Sequence, residues 1–321
     1  MDFSLNETQR AVVEAIDSAV ERQGRHLPGS VDKYVTNPEF VRELREQGYW
    51  DIVDQDDLGL FGAVLMIESL SRSPYCLETT GSVLVWPMLG RGEAPEAVAL
   101  VVAPATGPIR FAMPGASLVV IEGDEVRIAS LGENDVQAVE SHFAYPLGRV
   151  DCDKLEFDLA AGVDAGELRE RWSIGAAAEI VGAATAALDI TLQHVKDRIL
   201  FGKPLGALQV VQHRLSICKV AIAATQKLVY RAALRPHGPN PALALAQAQE
   251  TAVKVSQECQ QFHGAIGLTL EHPLHHWTYR LKFLATEIGG GPASLERAAE
   301  RTWPAGQAIS DPLADVEAAW I

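Results

Sequence analysis

The chain has 321 residues, of which 48% are hydrophobic and 21% are charged, and its formal net charge at pH 7 is −15. This length and composition predict a folded protein with a sizeable core, built as two domains or as one large helical domain with an insertion. The negative charge disfavours nucleic acid as a partner, because a polyanion would be repelled.

Three further features concern the location of the protein. No run of about eighteen apolar residues occurs, so we expect no membrane span. The N-terminal sequence MDFSLNETQR has an early acid and no apolar segment, which argues against a secretory signal. Four cysteines are scattered without a CxxC pair: Cys76, Cys152, Cys218 and Cys259. We therefore expect a cytoplasmic protein with reduced thiols.

The N-terminal part of the sequence predicts helices. Asn6 and Gln9 have the spacing of a capping box, and apolar residues then recur with a helical period. Asn37 and Pro38 form a second helix start, because asparagine is a frequent N-cap and proline is favoured in the first turn. Two further helices are predicted, over 58–71 and 82–89.

From about residue 97 the pattern changes to short β-rich runs separated by Gly, Pro, Asn and Asp. The runs are AVALVV, IRFAM, SLVVIEG, EVRIAS and KLEFDL. Their lengths and spacing predict a small antiparallel sheet or barrel of roughly sixty residues.

Helical patterns return at about Glu167, where apolar residues mark one face of a helix of over twenty residues. Asn240 and Pro241 predict the capped start of a later helix that ends near residue 262. Other helices are predicted from about 208, after 273 and after 292. The predicted fold class is α+β and mostly α. It comprises an N-terminal helical domain (1–92), a small central antiparallel β domain (93–163) and a C-terminal four-helix bundle (164–321).

Two segments within the bundle indicate a dinucleotide site. The first, RILFGKPLGALQVVQ, places Arg198 at a helix end, and a guanidinium can bind phosphate oxygens in a bidentate manner. Gln209 opens the next helix and directs its amide toward the same place. In the second segment, QFHGAIG, Gly264 and Gly267 permit close approaches that side chains would block. The alternative interpretation is an ordinary helix hairpin with an arginine at a helix C-terminus.

In order and spacing, these segments resemble those with which the acyl-CoA dehydrogenase family holds the diphosphate end of FAD. The order of helices, small β domain and four-helix bundle is similar along the whole chain. In that family the segments bind the FAD of a neighbouring subunit. The resemblance implies the same role for six residues: Arg198, Phe201, Gln209, Gln261, Gly264 and Gly267.

The sequence departs from the family where the chemistry takes place. The Thr-Glu-Pro and Gly-Ser-Asp signatures that accompany the flavin ring are not found between residues 97 and 159. The commonest base of the family lies nine residues after the arginine matched by Arg280, and Gly289 stands there. An alternative base position is occupied by Trp172. Because α-proton abstraction needs a positioned carboxylate, we predict no catalytic residue in this chain.

The resemblance therefore implies a subunit of a FAD-dependent acyl-CoA dehydrogenase, which introduces an α,β double bond into a CoA thioester. A homologous catalytic subunit would supply the base and most of the acyl site. The chain is similar to the short, reduced subunits of heterotetrameric enzymes of bacterial steroid side-chain degradation, so an α2β2 assembly and a steroid thioester are expected. Two alternatives remain open: a self-sufficient enzyme with a displaced base, Glu170 or Glu287, and a non-catalytic acyl-CoA or partner-binding module.

Two other features of the sequence carry predictions. His272, His275 and His276 could suggest a metal site, but Pro273 interrupts the helical spacing, so we predict a polar helix start and no metal. A close partner contact is predicted for small residues of the bundle, unless they only reflect helix propensity. These residues are Gly175, Ala178, Gly182, Ala186 and the alanine-rich stretch 242–252.

Overall fold

A computed structural model of the chain describes residues 3–24, 33–104, 107–200 and 202–303. Helices α1 (Glu7–Gly24), α2 (Pro38–Glu46) and α3 (Gly59–Ser71) come first. Strands β1 (Val98–Val102), β2 (Ile109–Arg110), β3 (Ser117–Glu122), β4 (Glu125–Ser130), β5 (Val136–Val139), β6 (Leu147–Val150) and β7 (Asp158–Leu159) follow. The remaining elements are α4 (Ala165–Asp197), the short hairpin β8 (Ile199–Leu200) and β9 (Lys203–Pro204), α5 (Gln209–Leu234), α6 (Asn240–His263), α7 (His275–Leu284) and α8 (Gly290–Thr302). The predicted fold class is confirmed.

The helix starts of the N-terminal part behave as the sequence predicts. The Asn6 side chain accepts a hydrogen bond from the Gln9 backbone N–H (2.8 Å), and the Gln9 side chain accepts one from the Asn6 N–H (3.0 Å). Asn37 Oδ1 accepts from the Phe40 N–H at 3.0 Å. All three bonds satisfy N–H groups at the helix starts that would otherwise lack partners.

The helix predicted over 82–89 is not an α-helix. A π-helix covers Thr80–Val85 and a 3-10 helix covers Trp86–Leu89. The Glu78 carboxylate accepts from the Gly81 N–H at 2.7 Å, and Pro87 has no N–H to continue an α-helical ladder. These two residues explain why the regular helical pattern is lost.

The central strands form two small sheets, with orders β1-β3-β4-β7 and β2-β6-β5. One feature differs from the all-antiparallel prediction, because β1 pairs with β3 in parallel, with Val98 opposite Ser117. The chain leaves β1 for the second sheet, where β2 lies, and returns to β3, so β1 and β3 run in the same direction. Strands β5 and β6 were not predicted, since each has only four residues, VQAV and LGRV, which is at the lower limit of a recognisable strand run.

Helix α4 is the centre of the C-terminal bundle. It has 33 residues and is apolar enough by composition to cross a membrane, but 83% of its most apolar window is buried inside the protein. A Cβ added at Gly182 would lie 2.1 Å from the Glu68 carbonyl oxygen of α3, and one at Gly175 would lie 2.5 Å from Thr80. The small residues of α4 therefore let other parts of the same chain approach closely.

The prediction that these small residues contact a partner is accordingly wrong for most of them. Gly175, Ala178 and Gly182 are buried within the chain. Five alanines of the α6 stretch are also buried within the chain: Ala242, Ala244, Ala246, Ala248 and Ala252. Helix α6 begins at Asn240, whose side-chain amide donates to the carbonyl oxygens of Arg235 (3.1 Å) and His237 (3.2 Å) instead of capping the helix.

Candidate functional site

Arg198 lies at the point where α4 ends. Its backbone N–H donates to the His194 carbonyl oxygen, and its own carbonyl oxygen accepts from the Leu205 N–H, both at 2.8 Å. Between these bonds the chain turns through β8 and β9, and Gly202 adopts a φ of 76°, which favours glycine. The turn is thus closed by backbone bonds, and the Arg198 residue is exposed.

The second segment begins where α6 ends. Gly264 has φ 66° and ψ −142°, and a Cβ added there would meet no atom within 4 Å, so its conformation and not its surroundings requires glycine. At Gly267 the reason is different. A Cβ there would lie 2.7 Å from the His263 Cβ and 3.0 Å from the Gln260 carbonyl oxygen, so only glycine fits this close turn.

The two segments meet through histidine side chains. The ring of His194, in the last turn of α4, stacks on that of His263 with centroids 4.1 Å apart. His272 follows, with its centroid 4.5 Å from that of His263. His194, His272 and Arg198 together line a surface cavity of about 450 Å³. The structure therefore brings the arginine end of the first segment beside the second segment.

The predicted diphosphate residues are placed as follows. Gln209 is the first residue of α5 and Gln261 lies in the last turn of α6, and both are exposed. Among the described residues, the side chains of Arg198, Gln209 and Gln261 make no hydrogen bond within the chain, so their donors remain available. Gly267 is buried, and Phe201 lies outside the described residues. A guanidinium with two free amides is a donor set that fits a diphosphate.

The histidine cluster was missed by sequence analysis, which considered His272, His275 and His276 instead. One ring nitrogen from each of His194, His263 and His272 lies within 4.8 Å of the others. The rings of His194 and His263 are inclined by only 22°, so a single ion could not lie in both ring planes. This arrangement suits stacked neutral imidazoles better than a metal centre.

His275 and His276 do begin α7, but they are buried and not polar surface residues, at 0% and 1% exposed. Their rings lie 4.0 Å apart. The polar helix start expected here is therefore wrong, because the helix packs its first turn into the core.

Acid should destabilise the protein through His263, whose pKa burial lowers to about 4. The unfolded chain, with a histidine pKa near 6.5, then binds a proton that the folded chain excludes. The contribution of His263 to the free energy of unfolding is fully present above pH 6.5. It falls by at most about 3 kcal/mol as the pH drops toward 4. Urea unfolding measured from pH 7.5 to 4.5 should show that the free energy of unfolding falls less in His263→Asn than in the parent protein. An equal slope in both proteins would contradict this assignment.

A second cavity, of about 620 Å³, lies between the β1–β2 region and the helices. Trp172 of α4 and Gly289, which precedes α8, both line it. These are the two positions at which the resemblance would place a catalytic base. Glu287 also lines this cavity, whereas Glu170 lines a neighbouring one, where it pairs with Arg301 at 3.4 Å.

A buried ion-pair network occupies one side of the larger cavity, which we call the interdomain cavity. Arg110 of β2 pairs with Glu179 of α4 (2.5 Å) and with Glu287 (2.9 Å), and all three side chains are less than a tenth exposed. A second nitrogen of Arg110 donates to the other Glu287 oxygen at 3.2 Å, and the Tyr145 hydroxyl donates to Glu179 at 3.4 Å. Burial raises the pKa of Glu287 to about 7, although Arg110 opposes the shift.

Sequence analysis identified neither Arg110 nor Glu179 as a site residue. A usable signal was nevertheless present, since Arg110 is the only charged residue of the run IRFAM and Glu179 lies within the apolar stretch IGAAAEIVGAA. Charges inside apolar runs are rarely buried without a partner. The pairing itself could not be read, because the partners are 69 and 177 positions apart.

Residues 168–301 match the family described as acyl-CoA dehydrogenase, C-terminal domain. The acyl-CoA dehydrogenase IpdE2 of Mycolicibacterium smegmatis is 30% identical over 278 residues, covering 81% of this chain and 87% of that protein. Among solved structures, the ChsE4-ChsE5 complex from Mycobacterium tuberculosis has a TM-score of 0.73 at 17% identity, covering 96% of this chain and 100% of that one. A variant of the Tcur3481-Tcur3483 steroid ACAD has a TM-score of 0.72 at 20% identity, covering 93% and 98%. These two structural likenesses show the fold.

Proposed function

The chain belongs to the acyl-CoA dehydrogenase family, and on that premise we propose that it is a cytoplasmic subunit that works with a homologous catalytic partner. FAD is the cofactor of this family and, when bound, accepts the hydride removed from the acyl thioester. This chain supplies Arg198, Gln209 and Gln261 to the diphosphate of that FAD. It does not supply the catalytic base.

The interdomain cavity carries this proposal. The two positions at which family members hold a base are Trp172 and Gly289 here, and neither side chain can accept a proton from a substrate. Glu287 is the carboxylate that lines the cavity, and both of its oxygens are bonded to Arg110. Neither oxygen is free to approach a substrate proton unless this ion pair opens, because both accept from Arg110.

The exposure of the diphosphate residues supports a shared site. Arg198, Gln209 and Gln261 all lie on the surface of this chain. A flavin held by these residues would need its other half bound elsewhere. A partner subunit that presents its own flavin to this surface satisfies that need.

A surface for the partner is present on α5. Val210, Ile217 and Val220 lie on one face of this helix and are 62%, 51% and 68% exposed. Ile266 and Leu268, which follow Gly264, are also exposed, at 40% and 59%. Exposed apolar side chains near a ligand site mark a protein contact more often than scattered ones do. This face replaces the small residues of α4 and α6 as the proposed interface.

A self-sufficient enzyme is the second candidate, and one observation favours it. Glu287 lines the cavity with a pKa raised to about 7, which is a useful value for a general base. In that case Arg110 would have to release the carboxylate during each turnover. Glu170 has no comparable support, because it lies in the other cavity and pairs with Arg301.

Co-expression with the catalytic partner tests the proposal. We expect an α2β2 tetramer carrying two flavins, because only the partner subunits hold a flavin ring, and we expect Glu287→Gln to leave its turnover within about twofold. The substrate expected is a CoA thioester, with a steroid acyl group as the first choice because one protein of similar structure is described as a steroid ACAD. Native mass spectrometry and flavin absorbance give the count. Four flavins per tetramer, or yellow and active protein expressed alone, would favour the self-sufficient enzyme. A chain that never binds flavin with any partner would indicate a binding module.

A further inference from the structure

We propose that the interdomain cavity of this chain binds an apolar ligand that carries a carboxylate, and that the ligand is held there without being oxidised. This goes beyond the proposed function, because it gives the subunit a ligand site of its own. Only the statement that no oxidation occurs rests on the proposed lack of a base.

The walls of the cavity determine the apolar part of the ligand. Leu100 and Val102 of β1, Trp172 of α4, and Phe143 and Phe283 line one continuous space. Its volume of about 620 Å³ lies within the range of pockets that bind small organic molecules. Phe143 is 42% exposed and packs edge-on against Phe283 with centroids 5.7 Å apart, so an aromatic pair stands at the solvent side of the cavity.

Two arginines determine the charge of the ligand. Arg169 of α4 and Arg297 of α8 both line the cavity, and both also line the neighbouring cavity of about 260 Å³, so they lie at the junction of the two. Among the described residues neither guanidinium forms an ion pair. Glu170, which adjoins Arg169 in the chain, pairs with Arg301 instead. The buried Arg169 Nε also has no hydrogen-bond partner.

Arg297 is held in position by neutral groups. Its guanidinium donates to the Ile288 carbonyl oxygen at 3.1 Å and to Ser294 Oγ at 3.0 Å, and Ser294 in turn donates to Gln249. Burial and the neighbouring Arg169 lower the pKa of Arg297, while Glu300 and Glu296 act from a distance in the opposite direction. Two cations that repel one another at the edge of an apolar cavity form a favourable site for one carboxylate.

Arg110 does not compete for the ligand. Although it lines the same cavity, its charge is neutralised by Glu179 and Glu287. A carboxylate entering the cavity would be repelled from Glu287 and attracted to Arg169 and Arg297. The network thus sets the orientation of the ligand, with its charge at the arginine pair and its apolar part against Trp172.

Binding of decanoate, measured by calorimetry on the full chain and on its complex, tests the proposal. Decanol is the matched neutral probe, and inorganic phosphate is the matched anion without an apolar part. We expect decanoate to bind about tenfold more tightly than decanol. Arg297→Met and Arg169→Met should remove most of that preference. Arg301→Met is the control variant, because Arg301 lines only the neighbouring cavity and pairs with Glu170, and it should bind decanoate as the parent does.

Two results on the parent protein would each overturn the proposal: equal binding of decanoate and decanol, or binding of phosphate as tight as that of decanoate. So would the absence of binding to folded protein. The fate of decanoyl-CoA separates this proposal from the proposed function. If the chain alone oxidised the thioester while the carboxylate preference held, the proposed function would fail and the ligand site would stand.

Discussion

Replacing Arg110 with methionine is expected to lower the free energy of unfolding by about 3–5 kcal/mol at pH 8. The substitution keeps much of the apolar volume of the side chain but leaves Glu179 and Glu287 buried without a counter-charge. Urea unfolding followed by circular dichroism measures the loss. Arg91→Met is the matched control, since Arg91 pairs with Asp158 at 2.9 Å on the surface, and it should cost at most about 1 kcal/mol.

The pH dependence of this loss distinguishes a charge effect from a packing effect. Burial already raises the folded-state pKa of Glu287 to about 7, against an ordinary value of 4.5, and removing Arg110 removes a cause that lowers it. A carboxyl with a raised folded pKa binds its proton more tightly in the folded chain than in the unfolded one. Protonation of this group therefore stabilises the folded protein as the pH falls. The cost of Arg110→Met should therefore shrink from pH 8 toward pH 5. A cost that is constant over this range would show that the network contributes by packing alone.

Much of the fold could be predicted because its signals are local. The Asn6–Gln9 capping box and the Asn37 N-cap are read within four residues, and the structure contains both. The strands β1, β3 and β4 have five or six residues each and belong to runs with a strand-like pattern, and each was found where predicted. Short strands such as β5 and β6 have no such signal of their own, because they are stabilised by pairing with each other.

The direction of β1 and the role of the small residues illustrate a second limit. A parallel pair between β1 and β3 depends on where the intervening chain goes, which local propensity does not encode. Likewise, Gly182 allows close approach of a neighbour, but the sequence does not say whether that neighbour belongs to the same chain. The Glu68 carbonyl oxygen of α3 is the neighbour here.

The candidate site divides in the same way. The segment around Arg198, which we propose binds the diphosphate, is continuous in sequence, so its resemblance could be read from residue order and spacing alone. The Arg110 network and the stack of His194 on His263 join residues far apart in the chain, so each residue alone resembled an ordinary buried or surface group. The prediction that no catalytic residue is present came from counting positions. The contacts of Glu287 with Arg110 supply a physical reason in its favour.

Arg198→Ala is expected to weaken FAD retention in the complex by about tenfold or more, which corresponds to the roughly 1.5–3 kcal/mol of a hydrogen bond to a charged group. The stability of the chain should change little, because the side chain is exposed and makes no hydrogen bond within the described residues. Flavin per tetramer after dialysis, together with a fluorescence titration of the apo complex, measures the effect. Lys196→Ala is the control, since Lys196 is an exposed cation in the last turn of α4, two residues before Arg198.

A second pair of variants shows whether the loss comes from the ligand site or from the fold. Gly264→Ala and Gly264→Val both place a side chain at φ 66°, so both carry the backbone strain, but apart from its chain neighbours no described residue lies within 4 Å of the added Cβ. If the flavin or its partner approaches this position, valine should lose more flavin than alanine at equal thermal stability. Arg198→Lys should recover part of the affinity, because it restores the charge without the bidentate geometry. Full flavin occupancy in Arg198→Ala and Gly264→Val after dialysis would show that the diphosphate is held elsewhere.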